Sequence, residues 1–274
     1  MLAPNFDDIK VSTKTIIAVS NLNINIKNIF HYFPLDGNKD QEINIQTIYY
    51  GSERRGAPIN KKKSSFRNAI NMIAIIDNSK KVNFKISKNG KFQLTGCKSD
   101  DNAIKIIIFF VKQLMLHCSK DVSIANSDKI TVYFQCVMTN IDFSIGYSIN
   151  RQKLDEMLNE SIKYHSLLET SCGYTGVNVK SRLDMKWWDI EIPVISCWVD
   201  DLLDWKFEKK SLSSLVDVTT EMKNKKKYNT FLVFHSGNII MSGIMKETMK
   251  KDFDVFNDLL IKWKDQIIEK IDEN

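Results

Sequence analysis

The chain has 274 residues, 43% of them hydrophobic, enough for one large domain or two fused halves that each bury a core. Its 39 Lys and Arg against 33 Asp and Glu leave a net charge of +6, an excess that permits an anionic partner without requiring one. Five scattered cysteines without C-x-x-C spacing argue against a disulfide framework and predict free thiols in a reducing compartment.

Met1–Lys10 is too polar for a secretory leader, and no uninterrupted apolar run approaches the roughly 18 residues of a membrane span. A soluble, intracellular protein is expected.

In chain order, Thr15–Val19 predicts a strand. Ile24–Phe33 predicts a short helix that Pro34 ends. Ile43–Tyr50 alternates as a strand, Gly51–Ser65 reads as a basic loop, and Phe66–Ile76 and Lys81–Ile86 predict two strands. Lys88-Asn89-Gly90 is a hairpin turn leading to a strand at Lys91–Thr95. Ser99 is then placed to cap a helix, with Asp100 and Asp101 in its first turn. Ala103, Ile106, Ile107, Phe110, Val111 and Leu114 give that helix a wide apolar face. The second half predicts strand at Ile130–Ile145, helix at Arg151–Leu158, strands at Gly173–Val179, Thr230–Phe234 and Ile239–Ser242, and a long helix at Lys246–Ile271.

The order of elements therefore repeats. Phe84–Lys98 and Phe231–Lys246 share a strand–turn–strand pattern in which two glycines stand six positions apart, Gly90 with Gly96 and Gly237 with Gly243. Two pseudo-symmetric repeats are expected, at residues 1–120 and 121–274, with an insertion at about 181–228. The insertion carries Trp187, Trp188, Trp198 and Trp205 and the basic run Lys223–Lys227. Antiparallel strands with both long helices on one face predict an α+β sheet-and-helix layer.

Alternation assigns faces to the strands. Phe92 and Leu94 are expected toward the helices, with Gln93 and Thr95 free. Ile239 and Met241 are likewise expected inward, with Ile240 and Ser242 free. Phe84 with Ile86, and Leu232 with Phe234, are placed on the free face.

These residues carry a resemblance. Ile86–Asp101, I-S-K-N-G-K-F-Q-L-T-G-C-K-S-D-D, resembles the first repeat of the TATA-box-binding protein family, and Leu232–Gly243, L-V-F-H-S-G-N-I-I-M-S-G, resembles the second. Asn23–Ile29 is similar to the family's first helix, and Gly173–Val177 to the start of a strand in its second repeat. The long loops look like those of divergent members found in large DNA viruses.

The resemblance implies a saddle, a curved antiparallel sheet with helices on its convex face, whose concave face sits on the minor groove of A·T-rich double-stranded DNA. It implies wedges that unstack base steps and bend the duplex. Residue by residue, it implies wedges at Phe66, Ile86 with Phe84, Tyr174 and Phe234. It implies groove contacts at Gln93, Thr95, Leu232, Ile240 and Ser242, and phosphate contacts at Arg54, Arg55, Lys61, Lys62, Lys63 and Arg67. The family's paired central asparagines align without gaps on Thr13 and Met138, with Asn21 and Asn140 nearby.

The implied function is a transcription initiation factor, a monomeric pseudo-dimer that hands bent promoter DNA to a TFIIB-like factor and an RNA polymerase. It would work without cofactor, metal or membrane, in a viral factory, nucleus or virion. The alternative is a protein-interaction module on the same fold that does not bind DNA alone. Catalysis is not expected: the sequence has no Walker loop, zinc spacing or G-x-S-x-G motif.

Overall fold

The computed structural model describes residues 4–35, 42–58, 68–77, 79–125, 127–161, 164–168 and 176–269. The chain divides into two compact units. The first comprises Lys14–Val137 and Asp189–Asp217, and the second Met1–Thr13, Met138–Trp188 and Val218–Asn274.

The first half of the chain runs through β1 (Val11–Ser20), β2 (Leu22–Ile24), α1 (Ile26–Tyr32), β3 (Ile43–Tyr50), β4 (Glu53–Gly56), β5 (Ala69–Ile76), β6 (Lys80–Ser87), β7 (Lys91–Cys97) and α2 (Asp100–Cys118). The second half contains β8 (Val122–Ile124), β9 (Lys129–Ser144), α3 (Arg151–Asn159), β10 (Tyr164–Leu168), β11 (Gly176–Leu183), β12 (Glu191–Trp198) and β13 (Lys206–Ser211). It closes with α4 (Thr220–Asn224), β14 (Lys227–Phe234), β15 (Asn238–Gly243) and α5 (Lys246–Ile267).

The topology is duplicated. The strand order β3-β5-β6-β7-β1 of the first unit recurs as β10-β11-β14-β15-β9 in the second, antiparallel throughout the paired strands. Hydrogen bonds repeat with it. Ser20 N–H donates to the Gly90 carbonyl at 3.0 Å, as Ile145 N–H does to Gly237 at 3.1 Å. Ile24 N–H donates to Lys88 at 2.7 Å, and Ile149 N–H to His235 at 2.8 Å. Asn25 and Asn150 then cap α1 and α3 in the same way, each side chain accepting from an N–H three residues on. The α+β class and the two like repeats expected from the sequence are present.

Each unit lays its long helix over one face of its sheet. In the first, Phe110 of α2 stacks on Phe33 at 5.1 Å and meets Phe84 and Phe92 edge-on at 5.8 and 5.7 Å. In the second, Phe256 of α5 stacks on Phe231 at 4.1 Å, and Phe253 meets Phe143 at 4.9 Å. Ser99 caps α2 as its sequence predicts, accepting from Asn102 N–H. By length and composition α2 is apolar enough to cross a bilayer, although Lys105 and Lys112 interrupt its apolar run as the sequence reading has it. Its buried stripe of Ala103, Ile106, Ile107, Phe110, Val111 and Leu114 instead fills the first unit's core.

Two expectations are corrected and one is extended. Glu53–Gly56, read as loop, is the edge strand β4 beside β3. The last helix stops at Ile267, because Ile268 turns extended and bridges to Ile149. The insertion between the paired strands β11 and β14 is built structure: β12 pairs with Lys129–Tyr133 of β9, and β13 pairs with β12. Ile195, Cys197 and Trp205 join the first unit's core, so this hairpin widens the sheet at an edge.

Candidate nucleic-acid interface

The register of the first hairpin decides what its open face carries. Phe84 stands opposite Leu94 and Ile86 opposite Phe92, so all four share the face under α2, each 0% exposed. The placement of Phe84 and Ile86 on the free face is thereby corrected. Counting position for position, Phe84 corresponds to Phe231, Ile86 to Val233, and Ser87 to Phe234. Gly90 N–H closes the turn onto Ser87 at 3.2 Å, and Gly237 N–H closes its own onto Phe234 at 3.0 Å. The two hairpins are equal in length, and the first has a hydroxyl where the second has a ring.

The open side of the first unit is consequently polar at its centre. Lys85 lies opposite Gln93, and Gln93 opposite Ile17. Asn83 lies opposite Thr95, and Thr95 opposite Thr15. Gln93 and Thr95 are half-buried on this side, and the Thr95 hydroxyl donates to the Asn83 carbonyl at 3.2 Å.

The second unit presents a more apolar open side. Leu232 lies opposite Ile240, and Ile240 opposite Asp142. Thr230 lies opposite Ser242, and Ser242 opposite Asn140. Phe234 stands beside Gly176 at the end of the β11–β14 ladder. Leu232, Phe234, Ile240 and Ser242 are all half-exposed. Gly176 has a local reason: a Cβ there would come within 2.7 Å of Leu232 Cδ1, so glycine leaves the leucine room on this face.

Two amides lie on the same side, Asn140, which the sequence places near the family's central asparagines, and Asn178, which sequence reasoning missed. Asn140, opposite Ser242, and Asn178, opposite Leu232, each hold a side-chain oxygen out of solvent with no hydrogen-bond partner among the described residues. The signal was there: Asn140 precedes Ile141 and Phe143 in strict alternation, and Asn178 separates Val177 from Val179, all four buried. Asn21, the other asparagine considered, is committed within the first unit. Its amide donates to the Lys129 carbonyl at 2.8 Å and accepts from Thr131 N–H at 3.0 Å.

The basic residues separate too. Arg54 is exposed, whereas the guanidinium of Arg55 donates to the carbonyls of Phe30 and Phe33 at 2.6 and 3.1 Å, closing the end of α1. That engagement gives Arg55 a structural task that its sequence reading did not include. Phe66, Arg67, Lys61, Lys62, Lys63 and Tyr174 lie outside the described residues.

Burial holds the Cys97 thiol up to about 12 and the Cys197 thiol up to about 11, which removes both as nucleophiles near neutral pH. Among the described residues no three His, Cys, Asp or Glu side chains gather as metal ligands would.

Comparison with known proteins gives viral relatives. The chain is 28% identical over 226 residues to an uncharacterized protein, 335L, of Invertebrate iridescent virus 6, a match covering 79% of this chain and 66% of that one. It is 28% identical over 196 residues to a protein of Acanthamoeba polyphaga mimivirus named TATA-box-binding protein-like, covering 67% of this chain and 45% of that one. The chain thus spans two thirds or less of the length of these relatives. The solved structure of Methanococcus jannaschii TBP aligns over 93% of this chain and 98% of its own, with a TM-score of 0.46 and 13% identity. No protein-family model matches the chain. The resemblance carried by the two hairpins, to TATA-box-binding proteins of the divergent kind found in large DNA viruses, is borne out by these relatives.

Proposed function

We propose that the chain is a non-catalytic transcription initiation factor that binds A·T-rich duplex DNA through the minor groove with its open sheet faces and bends it. The bent complex would be presented to a TFIIB-like factor and an RNA polymerase. The observation that carries this reading is the second unit's open side. There Leu232, Ile240 and Phe234 form a half-exposed apolar strip beside the Ser242 hydroxyl and the Asn140 and Asn178 amides. The minor groove of A·T pairs presents only acceptors, which small hydroxyl and amide donors can meet, and apolar side chains inserted between base steps are how minor-groove proteins unstack and kink the duplex. Arg54 is positioned in sequence and exposure for phosphate contact, with Phe66, Tyr174 and the Lys61–Lys63 run as further members of the proposed site.

The test is energy transfer between fluorophores on the two ends of a short A·T-rich duplex. Transfer that rises with protein and falls off with added salt is the expected result.

A second reading, an interaction module that does not bind DNA alone, draws on two observations. Asp142 sets an exposed carboxylate beside Ile240 on the open side. In the first unit, Trp198, Leu203 and Phe207 are 58%, 83% and 64% exposed on and beside the β12–β13 hairpin, an apolar patch suited to a protein partner. No energy transfer with any duplex, together with salt-insensitive capture of a polymerase subunit, would favour it.

A further inference from the structure

Away from the open face, the second unit holds a hollow half of whose lining residues are basic. It lies where β11 and β14 part, at the opposite end of their ladder from Phe234. There Arg182 stands opposite Tyr228 and Leu183 opposite Lys227. Beyond them the chain returns through Trp187 and Trp188 on one side and the end of α4 on the other, enclosing about 480 Å³. Six basic residues line it, Arg182, Lys186, Lys223, Lys225, Lys226 and Lys227, against one acidic residue, Asp184.

The tryptophans build the wall. Trp187 Nε1–H donates to the Lys225 carbonyl at 3.2 Å, fixing the basic run against its ring. The Lys227 ammonium rides 4.6 Å above that ring, and Trp188 meets it edge-on at 5.9 Å while staying half-exposed.

This arrangement is short of negative charge. Among the described residues, none of the six basic side chains forms a salt bridge. Burial, and next to it the charge of Lys225, pull the Lys227 pKa below its usual value. Like charges gathered around a hollow repel one another, and a bound anion relieves that cost.

Five of the six cations are lysines, compact point charges that serve phosphate and carboxylate alike. One feature favours a nucleic-acid strand over a carboxylate. The half-exposed Trp188 ring offers a stacking surface beside them, and cations interleaved with aromatic rings are how unpaired nucleic-acid strands are held. The volume lies within the range of sites for small molecules, nucleotides included.

We infer that this pocket binds the phosphates of a nucleic-acid strand, with an unpaired base laid on Trp188. The site is separate from the open sheet face and does not require that face to bind duplex DNA.

The experiment uses the full chain with a fluorescein-labelled oligothymidylate of ten nucleotides. Substituting Lys225→Glu together with Lys226→Glu, both exposed, is expected to weaken binding tenfold or more. The slope of log affinity against log salt should fall by about 1.4, two contacts at about 0.7 each. Trp188→Leu is expected to weaken binding at least about fivefold without changing that slope. Lys186→Ala, on the facing wall, should act in the same direction and guards against a folding defect in the double variant.

Unchanged affinity in all these variants would overturn the pocket. Tripolyphosphate displacing the oligonucleotide at equal phosphate concentration, with Trp188→Leu without effect, would overturn the strand in favour of a free polyphosphate. A decaglutamate peptide binding as tightly, with the same dependence on Lys225 and Lys226, would overturn the choice of nucleic acid over protein. Phe234→Ala should leave oligothymidylate binding intact even if it abolishes duplex bending, so this inference and the proposed function fail separately.

Discussion

Ser87 and Phe234 occupy the same place in two hairpins of equal length, each carbonyl accepting the N–H of the turn glycine three residues on. One hairpin end therefore carries a small hydroxyl and the other a half-exposed aromatic ring. If the open faces bind DNA, the two repeats contribute unequally to prying bases apart. Replacing Ser87→Phe supplies the missing ring, and the expected outcome is a larger end-to-end energy transfer in an A·T-rich duplex. An unchanged bend would show that this position does not reach the bases.

Phe84 and Phe234 separate core from surface. Phe84 is fully buried against Phe110, so Phe84→Ala should cost about 3–5 kcal/mol in urea unfolding. Phe234 is half-exposed on the other side of its sheet, and Phe234→Ala should cost under about 1.5 kcal/mol.

Gly90 and Gly237 are held at φ +66° and +78°, where a side chain is strained. A Cβ would also collide with the Leu22 carbonyl oxygen at Gly90 and the Tyr147 carbonyl oxygen at Gly237. Alanine at either position should therefore lose more than the roughly 1–2 kcal/mol that the backbone conformation alone costs, read as a lowered Tm.

Arg54 and Arg55 are adjacent in sequence and differ in task. Arg55→Ala strips two charge-assisted hydrogen bonds from the end of α1, and about 1.5–3 kcal/mol of stability should go with them. Arg54→Ala should leave melting unchanged and reduce the salt slope of duplex binding by about 0.9 if it meets a phosphate.

The Cys97 thiol, held up to about 12 by burial, stays protonated in the folded chain long after the unfolded chain has lost its proton near pH 8.5–9. The unfolded state then binds fewer protons, so stability falls as pH rises from about 9 toward 12. Native-state alkylation at neutral pH should spare Cys97, and labelling should appear on unfolding.

Much of this architecture is legible in the chain. The Asn89-Gly90 turn, the Ser99 cap and the apolar stripe of α2 are local signals, and local hydrogen bonding and periodicity fix them. The free-face residues of the second hairpin, Leu232, Phe234, Ile240 and Ser242, follow from alternation alone.

Phe84 and Ile86 failed for a specific reason. Alternation along β6 separates Phe84 and Ile86 from Lys85 and Ser87 without saying which pair faces the helix; the cross-strand register with Phe92 and Leu94 sets that, and Lys85 and Ser87 already mark the polar side. The β12–β13 hairpin was hidden because Glu191–Trp198 buries residues on both faces and Lys206–Ser211 buries almost none, so neither shows a clean period of two. Its pairing with β9 is a long-range contact that no local pattern announces.

The most direct test compares wild type with Phe234→Ala on one doubly labelled A·T-rich duplex, measuring end-to-end energy transfer alongside urea stability. Minor-groove binding by the second unit's open side predicts strong transfer in the wild type, and most of it lost in the variant with stability nearly intact. Wild-type protein that leaves the duplex straight, or a variant whose bending is untouched, would contradict it.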